Sequence, residues 1–294
     1  MRMVMKALIG AASVGLLAVA SASPAEAALI NFTWNPSGSS PALTALPSQF
    51  TTNDLTVGDW AKITTTPNLQ NIQEDAILNV TATNSLQSTP LLGNGQSGAG
   101  YQLYFQVHAT SNLAPSGGGL SGTFTSLTYT LWGIVGGGCT FSVTNAGGPS
   151  ATGCGAPVNL ASGSLLPGGQ NSVGITSSNQ PFANVDTTII KDGGAGNFFV
   201  SPSDFTNFAF ESAFTNTLLV SYYCAVGAEI GTAGCTSARD GGVLDAGHPI
   251  ILIAGGGGDV NMLSLPVPEP VTLSVFGAGL VGAAALRRRK AKKA

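Results

Sequence analysis

Residues 101–110, YQLYFQVHAT, decide how this chain folds. Tyr101, Leu103, Phe105, Val107 and Ala109 fall on one side of an extended chain, with Gln102, Gln106, His108 and Thr110 among those on the other. A period of two is the mark of a half-buried strand. Residues 123–132, TFTSLTYTLW, follow with the Thr and aromatic content that suits a pleated surface. Residues 29–34, 76–83, 139–144, 185–190, 218–224 and 250–253 read the same way. Glycine-rich punctuation separates them at 93–95, 117–119, 136–138, 192–194 and 255–258, each expected to be a turn. Only residues 205–214, FTNFAFESAF, are expected to hold a short helix. There is no fixed-period repeat, which argues against a solenoid or propeller. The prediction is an all-β protein, an antiparallel β-sandwich of jelly-roll-like type.

Composition narrows the class further. Charged residues make up 9% of the 294, against about 25% in ordinary soluble domains. The 44% hydrophobic content and 13 Phe supply a core, so disorder is excluded, and so is a coiled coil rich in Glu, Lys and Arg. Eight of the eleven basic residues lie near the two ends, leaving Lys62, Lys191 and Arg239 between them against twelve acids, a net charge near −9. Nucleic acid is excluded as a partner, because grip on phosphates requires Lys and Arg.

The two ends read as sorting signals. Arg2 and Lys6 precede an apolar stretch of 14 residues, 7–20, and Ala25 and Ala27 place small residues at −3 and −1 of a cleavage site. Residues 1–27 are therefore expected to be a secretory signal peptide and residues 28–266 an exported domain. At the other end, Pro268-Glu269-Pro270 precedes 16 apolar residues, 271–286, and a basic stop of Arg287, Arg288, Arg289 and Lys290, followed by Lys292 and Lys293. Sixteen helical residues span about 24 Å, short of a hydrocarbon core of roughly 30 Å. The cations should stay cytoplasmic, with everything upstream outside. Gly277, Gly279 and Gly282 match G-x-G-x-x-G. No strand precedes them and no acid follows, so a dinucleotide site is rejected.

Together, Val-Pro-Glu-Pro at 267–270, the short Gly/Ala-rich segment and the terminal basic cluster resemble the PEP-CTERM sorting signal. The resemblance covers residues 267–294. It implies export in a Gram-negative bacterium that makes extracellular polysaccharide, and a transient inner-membrane anchor. It also implies cleavage near the motif by an exosortase, and delivery to the cell surface or extracellular matrix. Residues 101–105 and 124–132, with 197–200 and 205–216, look like segments of flocculation-associated members of the group. That likeness implies a non-enzymatic role in cell aggregation, floc or biofilm formation. The cysteines and the Gly-rich stretch between Gly136 and Gly169 depart from it.

Little else in the sequence carries chemistry. Four cysteines in an exported chain predict disulfides, and the local pairs Cys139–Cys154 and Cys224–Cys235 each flank a Gly-rich loop. His108 and His248 stand alone, without a nucleophile or metal motif around them, so no catalytic residue, metal or cofactor is expected. The Asp192 and Asp259 turns could hold calcium through oxygen ligands, but neither forms an EF-hand loop. Trp34, Trp60 and Trp132 are candidates for stacking on sugar rings. Two alternatives remain beside the matrix protein: a secreted carbohydrate-active hydrolase, which needs a pair of carboxylates that the sequence does not single out, and a carbohydrate-binding module.

Overall fold

The structure is a computed structural model that describes residues 29–35, 49–66, 68–83, 91–177, 180–192, 196–202, 208–215, 220–223 and 250–264. The first six strands are β1 (Phe32–Trp34), β2 (Phe50–Thr52), β3 (Asp54–Thr64), β4 (Ile72–Thr83), β5 (Ser97–Ser116) and β6 (Gly119–Gly137). Next come β7 (Thr140–Thr144), β8 (Gly148–Thr152), β9 (Val158–Ser164), β10 (Asn171–Ile175) and β11 (Pro181–Thr188). The chain continues through β12 (Ile190–Lys191), β13 (Phe199–Ser201), β14 (Phe208–Thr215), β15 (Val220–Tyr223) and β16 (Ile250–Ser264). The protein is all-β and every ladder between these strands is antiparallel.

The sheet closes on itself, which corrects the expected sandwich. Strands β3, β4, β5, β6, β10, β11, β14 and β16 pair in chain order, and β16 returns to β3 through pairs such as Val260↔Leu55 and Ile251↔Ile63. The result is an eight-stranded up-and-down barrel. Alternation could not distinguish the two architectures. It requires only that one face be buried, and a sheet curled on itself buries that face as well as a second sheet does.

Closure needs curvature, and bulges supply it. The register slips at Thr56/Val57, Thr110/Ser111 and Ala254/Gly256. Gly255–Gly258 is no turn but the middle of β16, with Gly256–Gly258 facing Val57–Asp59 across the ladder. Gly255 has φ +80° at the bulge, and a Cβ on Gly258 would fall on the Phe214 ring and the Ala213 carbonyl. Glycine there permits a close approach of neighbouring strands. By contrast Gly117 and Gly118, with φ +56° and +83°, do form the expected turn between β5 and β6.

The expected helix is also corrected. Phe208–Thr215 is strand β14, paired with β11 and β16, with Phe210 and Ser212 buried and Ala213 exposed. Two neighbouring strands impose the period of two on a segment whose local content is ambiguous.

The barrel is plugged at one end. Strands β13, β1 and β2 form a separate small sheet that buries Phe32 and Trp34 completely. Trp34 sits 5.0 and 5.5 Å from the Phe198 and Phe199 rings, and Phe32 lies 6.3 Å from Phe210. Phe210 in turn packs on Phe105 and Tyr129 at 6.0 and 6.1 Å. Each such pair contributes about 0.5–1.5 kcal/mol beyond burial.

The closing seam along β6 is pieced together. β10 pairs with β6 only at Leu120–Gly122, and β9 takes over at Thr128–Gly133. Between them the Asn171 side chain stands in for a strand: its Oδ1 accepts from the Phe124 amide at 2.8 Å and its Nδ2 donates to the Phe124 carbonyl at 2.9 Å. Tyr129 Oη donates to the Thr188 carbonyl at 2.9 Å and fastens the seam from within.

Candidate functional site

Two apolar assemblies flank the barrel wall, one outside and one inside. Outside, the β7–β8 hairpin lies over β3–β6. Phe141 packs 5.7 Å from Trp60 and 5.3 Å from Tyr104, and the cluster continues through Ile77, Ile134 and Trp132. Amide side chains hold the hairpin's entry like a missing strand. Gln102 accepts from the Cys139 amide at 2.8 Å and donates to its carbonyl at 3.1 Å. Asn94 does the same for Phe141 at 2.6 and 3.2 Å. Disulfide Cys139–Cys154 ties the two ends of the hairpin, with Cα atoms 4.3 Å apart, well under the separation of about 7 Å beyond which no disulfide can form.

Inside, the barrel holds a cavity whose lining mixes Phe124, Phe182 and Phe214 with Asp59 and Glu74. Its free space is about 560 Å³, open solvent at its edge included. A second chamber of about 360 Å³ beside it shares Leu78, Val107, Leu127, Val185 and Phe214 and reaches the Phe105–Tyr129–Phe210 stack. Both acids occupy inward positions in apolar registers. β3 turns Leu55, Val57, Asp59 and Ala61 inward, and β4 turns Ile72, Glu74, Ala76, Leu78 and Val80 inward. Glu74 opposes Ile63, four residues along β3 from Asp59, an offset of about 13 Å along the strand that the side chains shorten.

Burial raises the Glu74 carboxyl to about 8, helped by the negative charges of Asp59 and then Asp75. It makes no hydrogen bond to any described residue, so none of them stabilises its charged form that way. Elsewhere, burial and the nearby Asp259 raise Asp54. Asp186 is raised by burial against the opposing effect of its hydrogen bond from the Gln170 amide.

The residues singled out from sequence fall in several places. Trp34 is fully buried in the plug, and Trp60 and Trp132 are half-buried under the hairpin, so none lies in an open row for sugar stacking. His108 is exposed on the outer face, its Nδ1 2.6 Å from Asp75 Oδ1, its neighbour across the ladder. Asp259 lies within β16 rather than in a turn. Among the described residues no group of three His, Cys, Asp or Glu side chains could hold a metal ion. Ala25, Ala27, Cys224, Cys235, His248, Pro268, Glu269, Pro270, Arg287, Arg288, Arg289 and Lys290 lie outside the described residues.

Asp59 and Glu74 were the residues the sequence reading missed. Their signal is an acid in phase with apolar residues of an alternating stretch. In 72–80, positions 72, 76, 78 and 80 are Ile, Ala, Leu and Val, and 74 is Glu. Compared with protein-family models, curated proteins and solved structures, the chain matches none of them.

Proposed function

We propose that the chain is an exported, non-enzymatic cell-surface or extracellular-matrix protein, sorted by an exosortase and supporting cell aggregation, floc or biofilm formation. The observation that carries this reading is the order Pro268-Glu269-Pro270, sixteen apolar residues, then Arg287 to Lys290 at the chain's end. The Cys139–Cys154 disulfide supports it, since such bonds persist in oxidising compartments. So does the scarcity of charge, with hydroxyl and amide side chains such as Thr110, Thr128 and Gln106 on the outer face of β5 and β6, suited to a hydrated polysaccharide. Replacing Pro268-Glu269-Pro270 with three alanines should leave the protein in the inner membrane at full tail length and remove it from the surface. Release with the same loss of C-terminal mass as the parent would show the motif to be incidental. Deleting the gene should reduce aggregation, and an unchanged floc would remove the matrix role.

A second reading, a carbohydrate-active hydrolase, rests on Asp59 and Glu74 sharing one cavity. Its test is release of reducing ends from soluble polysaccharides, abolished by Glu74→Gln. The strand wall around the two acids limits access by a polymer, and the matrix reading is the better supported.

A further inference from the structure

The barrel is filled beside the plug, where Phe105, Tyr129 and Phe210 stack on one another, and hollow beyond that stack. Among the described residues that line the main chamber, Asp59 and Glu74 carry the polar side chains. Asp59 has an interaction of its own. The Glu74 carboxyl makes no hydrogen bond to any described residue. It stands on β4 in register with Ile72, Ala76 and Leu78, so the backbone aims it inward. From β5, β6, β10, β11, β14 and β16 the described lining is apolar, as at Ala109, Phe124, Val173, Phe182, Phe214 and Ile253. A carboxyl in such a wall keeps its proton, because ionisation would leave a charge in apolar surroundings. Protonated, it is a hydrogen-bond donor, and no described residue accepts from it. A buried donor left unused costs stability, and an oxygen brought in by a ligand removes that cost.

We infer that the barrel interior binds a small neutral molecule, its apolar body against Phe124, Phe182 and Phe214 and one accepting oxygen on the Glu74 O–H. An anion would bring charge into an apolar space beside two acids, and a pure hydrocarbon would leave the Glu74 proton without an acceptor. A ketone, ester or ether oxygen on an apolar frame meets both demands. The chamber's free space of about 560 Å³, solvent at its edge included, lies toward the lower end of small-molecule sites, about 300–1,000 Å³. It suits a body of one ring. The acids near the Glu74 carboxyl are Asp59 on β3 and Asp75 beside it on β4, and the described lining from the other six strands adds no titratable group. Burial, then those two charges, hold the Glu74 proton to a pH of about 8. Affinity is therefore whole below about 8 and falls as pH rises past it, when the donor is lost. The inference does not depend on how the chain is sorted.

Calorimetry on the full-length, disulfide-intact protein tests it with two probes of one shape, acetophenone and α-methylstyrene, in which a CH₂ replaces the ketone oxygen. Acetophenone should weaken at least tenfold between pH 6.5 and 9.5 on the parent protein. Glu74→Gln keeps a donor that does not titrate, so acetophenone should bind within threefold of the parent at pH 6.5 and change less than twofold by pH 9.5. Glu74→Leu removes the donor at similar bulk. It should weaken acetophenone at least fivefold at pH 6.5 and leave α-methylstyrene no weaker. Ala109→Leu, opposite Glu74 on β5, crowds the chamber without touching the donor and should weaken both probes. Acetophenone affinity that does not change with pH on the parent, an equal response of the two probes to Glu74→Leu, binding of both unchanged by Ala109→Leu, or no binding of either at millimolar concentration would each overturn the inference.

Discussion

The outer cluster under the hairpin and the inner chamber of the barrel use similar side chains to opposite ends. Outside, Trp60, Tyr104 and Phe141 pack ring against ring beneath a segment fixed by a disulfide and four side-chain-to-backbone hydrogen bonds. Inside, Phe124, Phe182 and Phe214 surround free space and two acids. The outer group is filled and covalently fastened, as a structural joint must be. The inner one leaves room, and the Glu74 carboxyl there makes no hydrogen bond to any described residue; both cost stability. A fold that can pack aromatics so closely on one side of a sheet does not need to leave a chamber on the other.

Substitutions can break or sharpen that contrast. The largest effect belongs to Phe141→Ala, which empties the centre of the outer cluster and should cost about 3–5 kcal/mol in denaturant unfolding. It should also shift the emission of Trp60 and Trp132 to the red. Replacing Cys139 and Cys154 with Ser opens a loop of sequence separation 15 and should cost about 3 kcal/mol, with the inner chamber unaltered. An inner substitution should act with the opposite sign. Glu74 has its carboxyl raised to about 8 from an ordinary 4.5, so the folded state holds a proton that the unfolded chain releases. Its stability is whole below 4.5, falls as pH rises to about 8, and is level above. Glu74→Gln should therefore be neutral at pH 4 and stabilising at pH 8.5, on the order of 2 kcal/mol. That is less than half of what the whole shift allows at about 1.36 kcal/mol per unit, because the carboxyl borders open space. A melting temperature that falls at pH 8.5 would erase the distinction between the two assemblies. The smallest effect is expected at the exposed His108–Asp75 pair, where His108→Ala should change stability by less than about 1 kcal/mol.

Much of the wall was legible in the sequence, and the reason is local. β5 carries clean alternation in residues 101–110, β6 has the Thr and aromatic content of a pleated strand in 123–132, and the Gly117-Gly118 turn between them has the chemistry a tight hairpin needs. β3 is harder to read because Asp59 interrupts its apolar register of Leu55, Val57, Ala61 and Ile63. The four glycines of β16 read as a turn because what Gly258 permits, close approach to Phe214 and Ala213, belongs to a neighbour distant in sequence. Closure was illegible for the same reason, since it depends on whether residue 260 meets residue 55. The Cys139–Cys154 bridge was legible because both cysteines flank one local hairpin. The acid pair was visible in principle, but only once β3 and β4 are known to turn the same face inward.

The return of β16 to β3 also sets a schedule for the newborn chain. Strand β3 ends at Thr64 and its last partner ends at Ser264, about 200 residues later. At roughly 5–20 residues per second of synthesis, one side of β3 waits about 10–40 s for its neighbour. During that interval a row of unpaired amides and carbonyls is open to any other extended chain. The strand that must wait is also the one that carries Gly58, the inward-facing Asp59 and the outward-facing Lys62, residue types that discourage intermolecular pairing.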